Sequence, residues 1–227
     1  MQIPRIYLPK NPKATLDYPG LQGFPLFSSF GYWPKDRKQI YNLLDYLDVE
    51  HSARYQPTAG ATHCDCYVGD YCAFRGVYLP SGIFWNSTVM LNAQNGHPFP
   101  EKAILGPVEK GGTVHELNAN ALFEWLLDYG TDFGWSEISN LTTLQDLANK
   151  NAVCIISAKN RQPGKSGHIV VVIPEWPEKL AIAVRDSQGL VSYPVTSEAG
   201  GKCHKISIGD NWFLNPKYFV KLWCNNG

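Results

Sequence analysis

The chain has 227 residues with 20 basic and 20 acidic side chains, six histidines and a formal net charge of zero. That balance supplies no general attraction to phosphate backbones or anionic lipid surfaces, so non-specific nucleic-acid binding is not expected. With 44% hydrophobic and 18% charged residues the composition supports a sizeable core and argues against disorder, and no apolar stretch approaches the roughly 20 residues of a membrane span.

In chain order, residues 1–35 are rich in Pro, Gly and aromatics without a sustained period. They read as an irregular N-terminal arm on a single domain covering 1–227. The opening Met1 to Lys10 has neither an uninterrupted apolar segment nor a small-residue cleavage site, so no Sec signal peptide is expected. Ile40, Leu43, Leu44 and Leu47 recur at three- and four-residue spacing and predict a helix over 36–50. Tyr55 to Cys64 is turn-rich; Thr62 is the expected N-cap of a helix over 63–75 that stops at Gly76. Val77 to Pro100 reads as mixed loop, partly helical at Trp85 to Met90. Asn118 to Tyr129 predicts a helix with Leu122, Trp125 and Leu126 on one face, and Thr142 or Thr143 caps a shorter one over Leu144 to Lys150.

After Asn151 the period changes to two and β-branched residues accumulate. Strands are expected over 152–158, 168–173, 180–186 and 218–223, with a short one at 205–208. Helices first and strands later predict an α+β fold, N-terminal helices packed on an antiparallel sheet.

Two residues carry the chemistry. Cys64 falls in the first turn of its helix, on the side of Tyr67, Val68, Tyr71 and Cys72. Backbone N–H groups and the positive end of the helix dipole favour an anion there, the placement a nucleophilic cysteine needs. His168 opens the strand His168 to Ile173 directly after Gly164-Lys-Ser-Gly167, held at a rim that substrate can reach. If Pro174 to Lys179 is a hairpin turn, pairing partners sum to about 354 and His168 faces Asp186. A carboxylate there orients the imidazole. Glu175 is the rival acid, chosen instead if the register slips by one. His63, Cys64, Cys66 and Cys72 raise the question of zinc, but they form only one loose half-site, so neither a metal nor a cofactor is expected. Cys154, Cys203 and Cys224 read as core positions.

Thr62-His-Cys64-Asp-Cys-Tyr-Val, followed about 100 residues later by Ser166-Gly-His168-Ile-Val-Val-Val, resembles the papain-like peptidoglycan hydrolases of the NlpC and CHAP groups. The resemblance implies a papain-like fold with Cys64 as nucleophile, His168 as base, Asp186 as orienting residue and Tyr55 as a candidate near the oxyanion. It departs where that group carries Asp-Cys-Ser-Gly and this chain has Cys64-Asp65-Cys66, and in the long stretch between Gly76 and Asn151. The implied substrate is the peptide stem of bacterial peptidoglycan, cut at an amide bond. A leaderless enzyme of that kind resembles antibacterial effectors of type VI secretion, with a phage lysin as the other route. It would be made in the cytoplasm, act in the wall of a target bacterium, work as a monomer and be held in check by an immunity protein. The competing expectations are a papain-like acyltransferase or processing protease, and a non-enzymatic glycan-binding module.

Overall fold

The structure, a computed structural model, describes residues 2–6, 34–80 and 82–227. Most of the irregular arm expected over 1–35 lies outside the described residues. Of it, residues 2–6 dock on the core: Ile3 and Ile6 are buried, the Ile6 N–H donates to the Tyr78 hydroxyl (3.0 Å), and the Trp85 indole donates to the Pro4 carbonyl (3.0 Å).

The fold is α+β; the described residues form five α-helices and a six-stranded antiparallel sheet. Helix α1 (Arg37–Leu47) buries Ile40, Leu43, Leu44 and Leu47. The Asp36 carboxylate caps its start by accepting the Gln39 N–H, and Asp48 ends it in the left-handed region at φ 46°. Helix α2 (Cys64–Phe74) is buried almost throughout. Helices α3 (Ser87–Gln94), α4 (Ala119–Tyr129) and α5 (Leu141–Asn149) each begin after an asparagine, Asn86, Asn118 and Asn140, whose side chain accepts the third following N–H. Asn140 thus takes the cap expected of Thr142 or Thr143, and α5 starts earlier than its apolar period suggests. No helix among the described residues is long and apolar enough to cross a membrane.

Strands β1 (Ile83–Trp85) and β2 (Val114–Glu116) form a small ribbon. The main sheet runs β3 (Ser136–Ile138), β10 (Tyr218–Asn225), β4 (Val153–Asn160), β5 (His168–Val172), β8 (Thr196–Glu198), β9 (His204–Ser207). Strand β5 is interior, so both its faces need apolar cover, and its sequence is a continuous apolar run rather than an alternation. Ile169 and Val171 join the larger core with α2 and α4, whereas Val170 and Val172 join a smaller one with Leu144 and Ala148 of α5. Each such burial is worth about 1.5–3 kcal/mol.

The hairpin expected between 168–173 and 180–186 does not form. After the turn at Pro177–Lys179 the chain keeps only an isolated bridge from Trp176 to Ala181. It then leaves β5 and pairs β6 (Val184–Arg185) with β7 (Val191–Tyr193). Only the small Ala181 and Ala183 are buried in that stretch, with Ile182 and Val184 turned to solvent. The vacated edge of β5 is taken by β8, through Val171 opposite Ser197 and Val172 opposite Thr196.

Candidate active site

Cys64 opens α2, buried at 2% exposure. His63 stands at the cap position expected of Thr62 but makes no capping bond. Asp65 places an acidic side chain in the first turn instead; burial raises its pKa, and the nearby backbone N–H groups of Asp65 and Cys66 offset that only in part. The loop that delivers Cys64 is bolted to the same helix. Arg54 donates through Nε and Nη2 to the two carboxylate oxygens of Asp70 at 2.5 and 3.0 Å, and the Tyr55 hydroxyl donates to Asp70 at 2.8 Å. Arg54 and Asp70 are almost wholly enclosed, so removing one would strand a buried charge. Tyr55 is 1% exposed with its hydroxyl spent on Asp70. It therefore anchors the loop, its hydroxyl turned to Asp70.

His168 is the first residue of β5, as expected. The residue before it must be glycine: a Cβ on Gly167 would lie 2.3 Å from the Ala158 carbonyl oxygen and 2.4 Å from Asn120 Oδ1. The loop leading in is pinned as well. Asn120 Nδ2 donates to the Lys165 carbonyl at 2.8 Å, and Asn160 Nδ2 donates to the Ser166 carbonyl at 3.1 Å.

Cys64 and His168 come together, the thiol close enough to the imidazole to raise its pKa. Asp186 does not join them. It is exposed in the turn after β6, where Oδ1 accepts the N–H groups of Gln188 and Leu190, both at 2.9 Å. The reason is the lost hairpin: β5 neighbours β4 and β8, never the segment that carries Asp186. Glu175 is absent from the site too. Its carboxylate accepts from Arg185 Nη1 and Nη2 (2.7 and 2.8 Å) and from Asn149 (2.7 Å).

The carboxylate that does meet His168 is Glu198, the last residue of β8. His168 Nε2 lies 2.9 Å from Glu198 Oε2, which leaves Nδ1 for the sulfur. Glu198 is 3% exposed, and its other oxygen has no hydrogen-bond partner among the described residues. Strand β8 is locked against α2 by a 2.5 Å hydrogen bond between the Tyr67 hydroxyl and Ser197 Oγ, so the acid and the cysteine hang on neighbouring residues of one joint. Reasoning from the sequence missed Glu198, because Thr196-Ser-Glu198 is polar and short. The available signal was its setting, an apolar Val195 before it and Gly200-Gly201 after it, the pattern of a strand entering a turn.

Burial disfavours the charged imidazole, but the neighbouring Cys64 and Glu198 outweigh it, and the His168 pKa is raised to about 10. The ring is further fixed by Trp212, edge to face at 4.7 Å, and by Gly200, where a Cβ would come 3.5 Å from Cε1. The other cysteines differ. Burial pushes the Cys66 and Cys72 thiols up, and Cys154 and Cys224, opposite each other on β4 and β10, shift one another, Cys154 upward and Cys224 downward. All six thiols are free. Among the described residues no group of three or more His, Cys, Asp or Glu could hold a metal ion.

A sulfur in the first turn of a helix, an imidazole beside it and a buried carboxylate behind the imidazole can perform nucleophilic acyl transfer: the base takes the thiol proton and returns it to a leaving group. A scan against protein-family models returns no match, and no curated protein matches the chain.

Proposed function

We propose that the protein is a cysteine amidase or endopeptidase of papain-like type that hydrolyses an amide bond in the peptide stems of bacterial peptidoglycan. Cys64 is the nucleophile, His168 the general acid and base, and Glu198, in place of Asp186, the orienting acid. The observation that carries the reading is the continuous line from the Cys64 thiol through the His168 ring to the enclosed Glu198 carboxylate.

In this mechanism the Cys64 proton passes to Nδ1 of His168 and the sulfur adds to the amide carbonyl. The oxyanion takes a hydrogen bond from the Cys64 N–H at the start of α2, where the helix dipole favours negative charge. The imidazolium then protonates the departing amine, leaving a thioester. His168 next takes a proton from water, which attacks the thioester and releases the acid and the free thiol. Glu198, accepting the Nε2–H, keeps Nδ1 aimed at sulfur and favours the imidazolium.

The choice of substrate rests on the order of the motifs, Cys64 on a helix and Ser166-Gly-His168 on a later strand. Delivery to a target cell by a secretion machine, with an immunity protein in the producer, is part of the same proposal. Mass spectrometry of muropeptides after incubation with peptidoglycan tests the whole reading. Wild type should release new amine and carboxyl termini, and Cys64→Ala and His168→Ala, each still folded by circular dichroism, should release none. Wild-type digestion by either variant would overturn the assignment.

A further inference from the structure

Strands β4 and β10 pair antiparallel in one unbroken register, which sets Cys154 directly opposite Cys224. The pair is of the close kind. The Arg161 N–H donates to the Lys217 carbonyl at 2.8 Å, one step beyond Asn160 opposite Tyr218. Pairs with and without ladder hydrogen bonds alternate along an antiparallel ladder. An odd number of steps from Arg161, Cys154 and Cys224 fall on a pair without them. Opposed α-carbons there stand about 4.5 Å apart, inside the roughly 4.4–6.8 Å that a disulfide spans. Both side chains lie on one face of the sheet. Cys154 and Cys224 join the smaller core with Ile156, Val170 and Val172, whereas their neighbours Ile155 and Trp223 join the larger one. The two thiols also shift one another, Cys154 upward and Cys224 downward. The proposed nucleophile stands apart, because Cys64 belongs to the larger core on the opposite face.

We propose that Cys154 and Cys224 are an oxidation site, closing a disulfide across β4 and β10 by exchange with a small-molecule disulfide of the oxidised glutathione class. Cys224 attacks first, since its thiol is lowered by Cys154 while that of Cys154 is raised. Its thiolate displaces one glutathione thiolate and forms a mixed disulfide, and the Cys154 sulfur then displaces the other. The protein gives up two protons and two electrons, and one oxidised glutathione becomes two reduced ones. Closure gives up a weak bond, from the Cys224 S–H to Asn226 Oδ1 at 3.7 Å. Both sulfurs are buried, so exchange proceeds through opening at the end of β10, where Asn226 and Gly227 are already exposed. Once formed, the bond is shielded from reductants in the same way, and in a reducing compartment the pair stays as two thiols. The link ties β10 to β4, whose Ala158 pairs with His168, and so stiffens the sheet beside the imidazole. None of this depends on what Cys64 cuts.

The test holds the full chain in a buffer of oxidised and reduced glutathione, with urea just below the unfolding transition so that thiols reshuffle to the most stable pairing. After acid quenching and denaturation, alkylation and mass spectrometry count the remaining thiols. Of the six cysteines, four should take the label once two are paired. Peptide mapping should find one linkage, Cys154 to Cys224. Cys154→Ala and Cys224→Ala should each keep all their remaining thiols free, and the wild-type count stands by itself if either variant fails to fold. The thermal midpoint of oxidised wild type should exceed that of the reduced protein by roughly 5–15 °C. Six labelled thiols in the wild type, a glutathione adduct without closure, a linkage between any other two cysteines, or an unchanged midpoint in the linked protein would overturn the site.

Discussion

At the scale of single residues, two partners decide when His168 is charged. Burial works against the imidazolium, and the neighbouring Cys64 and Glu198 raise the pKa to about 10 in spite of it. The ring therefore keeps the proton it takes from Cys64 at neutral pH and gives it up only as pH rises through about 10. The step that protonates the leaving amine needs the imidazolium, so kcat/KM should hold through neutral pH and fall on an alkaline limb near 10. Glu198→Gln keeps the shape of the side chain and removes its charge. The alkaline limb should then move down towards the ordinary histidine value, and the rate should drop by roughly 10²-fold. A pH–rate profile of both proteins checks this, because a merely structural glutamate would change the rate and leave the limb in place. Asp186→Asn, in its exposed turn, should alter neither.

At the scale of elements, what could be read from the sequence was what local chemistry fixes. The spacing of Ile40, Leu43, Leu44 and Leu47 is the buried face of α1, and the apolar run after His168 is an interior strand. Cys64 and His168 were legible for the same reason, since one begins a helix and the other a strand. Pairing was not legible, because it depends on which edges meet. A plausible turn at Pro174 to Lys179 suggested one partner for β5, and β8 took that edge instead. The proposed orienting acid, Glu198 in place of Asp186, moved with it. Gly167 shows how tightly the resulting strand start is fitted. Gly167→Ala places a Cβ against backbone at 2.3 Å, and the relief has to come from moving the first residue of β5. We expect a loss of about 1–3 kcal/mol in stability, read as a lower thermal midpoint. Activity should fall more than that loss implies, because about 1 Å of misplacement at a catalytic group costs of order 10²-fold. Wild-type kcat/KM in this variant would show that the strand start tolerates movement.

At the scale of the whole molecule, two titrating contacts join parts of the chain far apart in sequence, and they act at opposite ends of the pH range. Glu175 ties α5 through Asn149 and the strand β6 through Arg185 to the end of β5. The hydrogen bonds from Arg185 come first among the influences that hold its carboxyl at about 2, against an ordinary 4.5. A folded value below the unfolded one means that this contact contributes fully above about 4.5 and is lost as pH falls through about 2. His168 has the reverse sign. Its folded value of about 10 exceeds the ordinary 6.5, so its contribution is complete below 6.5 and is lost as pH rises through about 10. The thermal midpoint should therefore be highest between these windows and descend on both sides. Glu175→Gln should lower the plateau and flatten the acid descent between about pH 4.5 and 2, leaving the alkaline side unchanged. His168→Ala should flatten the alkaline descent and leave the acid one. Calorimetry across pH on the three proteins separates the two contacts, since each variant is its own control on the opposite limb. An acid descent in Glu175→Gln as steep as in wild type would mean that other carboxylates, not the link between α5 and β6, hold the fold together in acid.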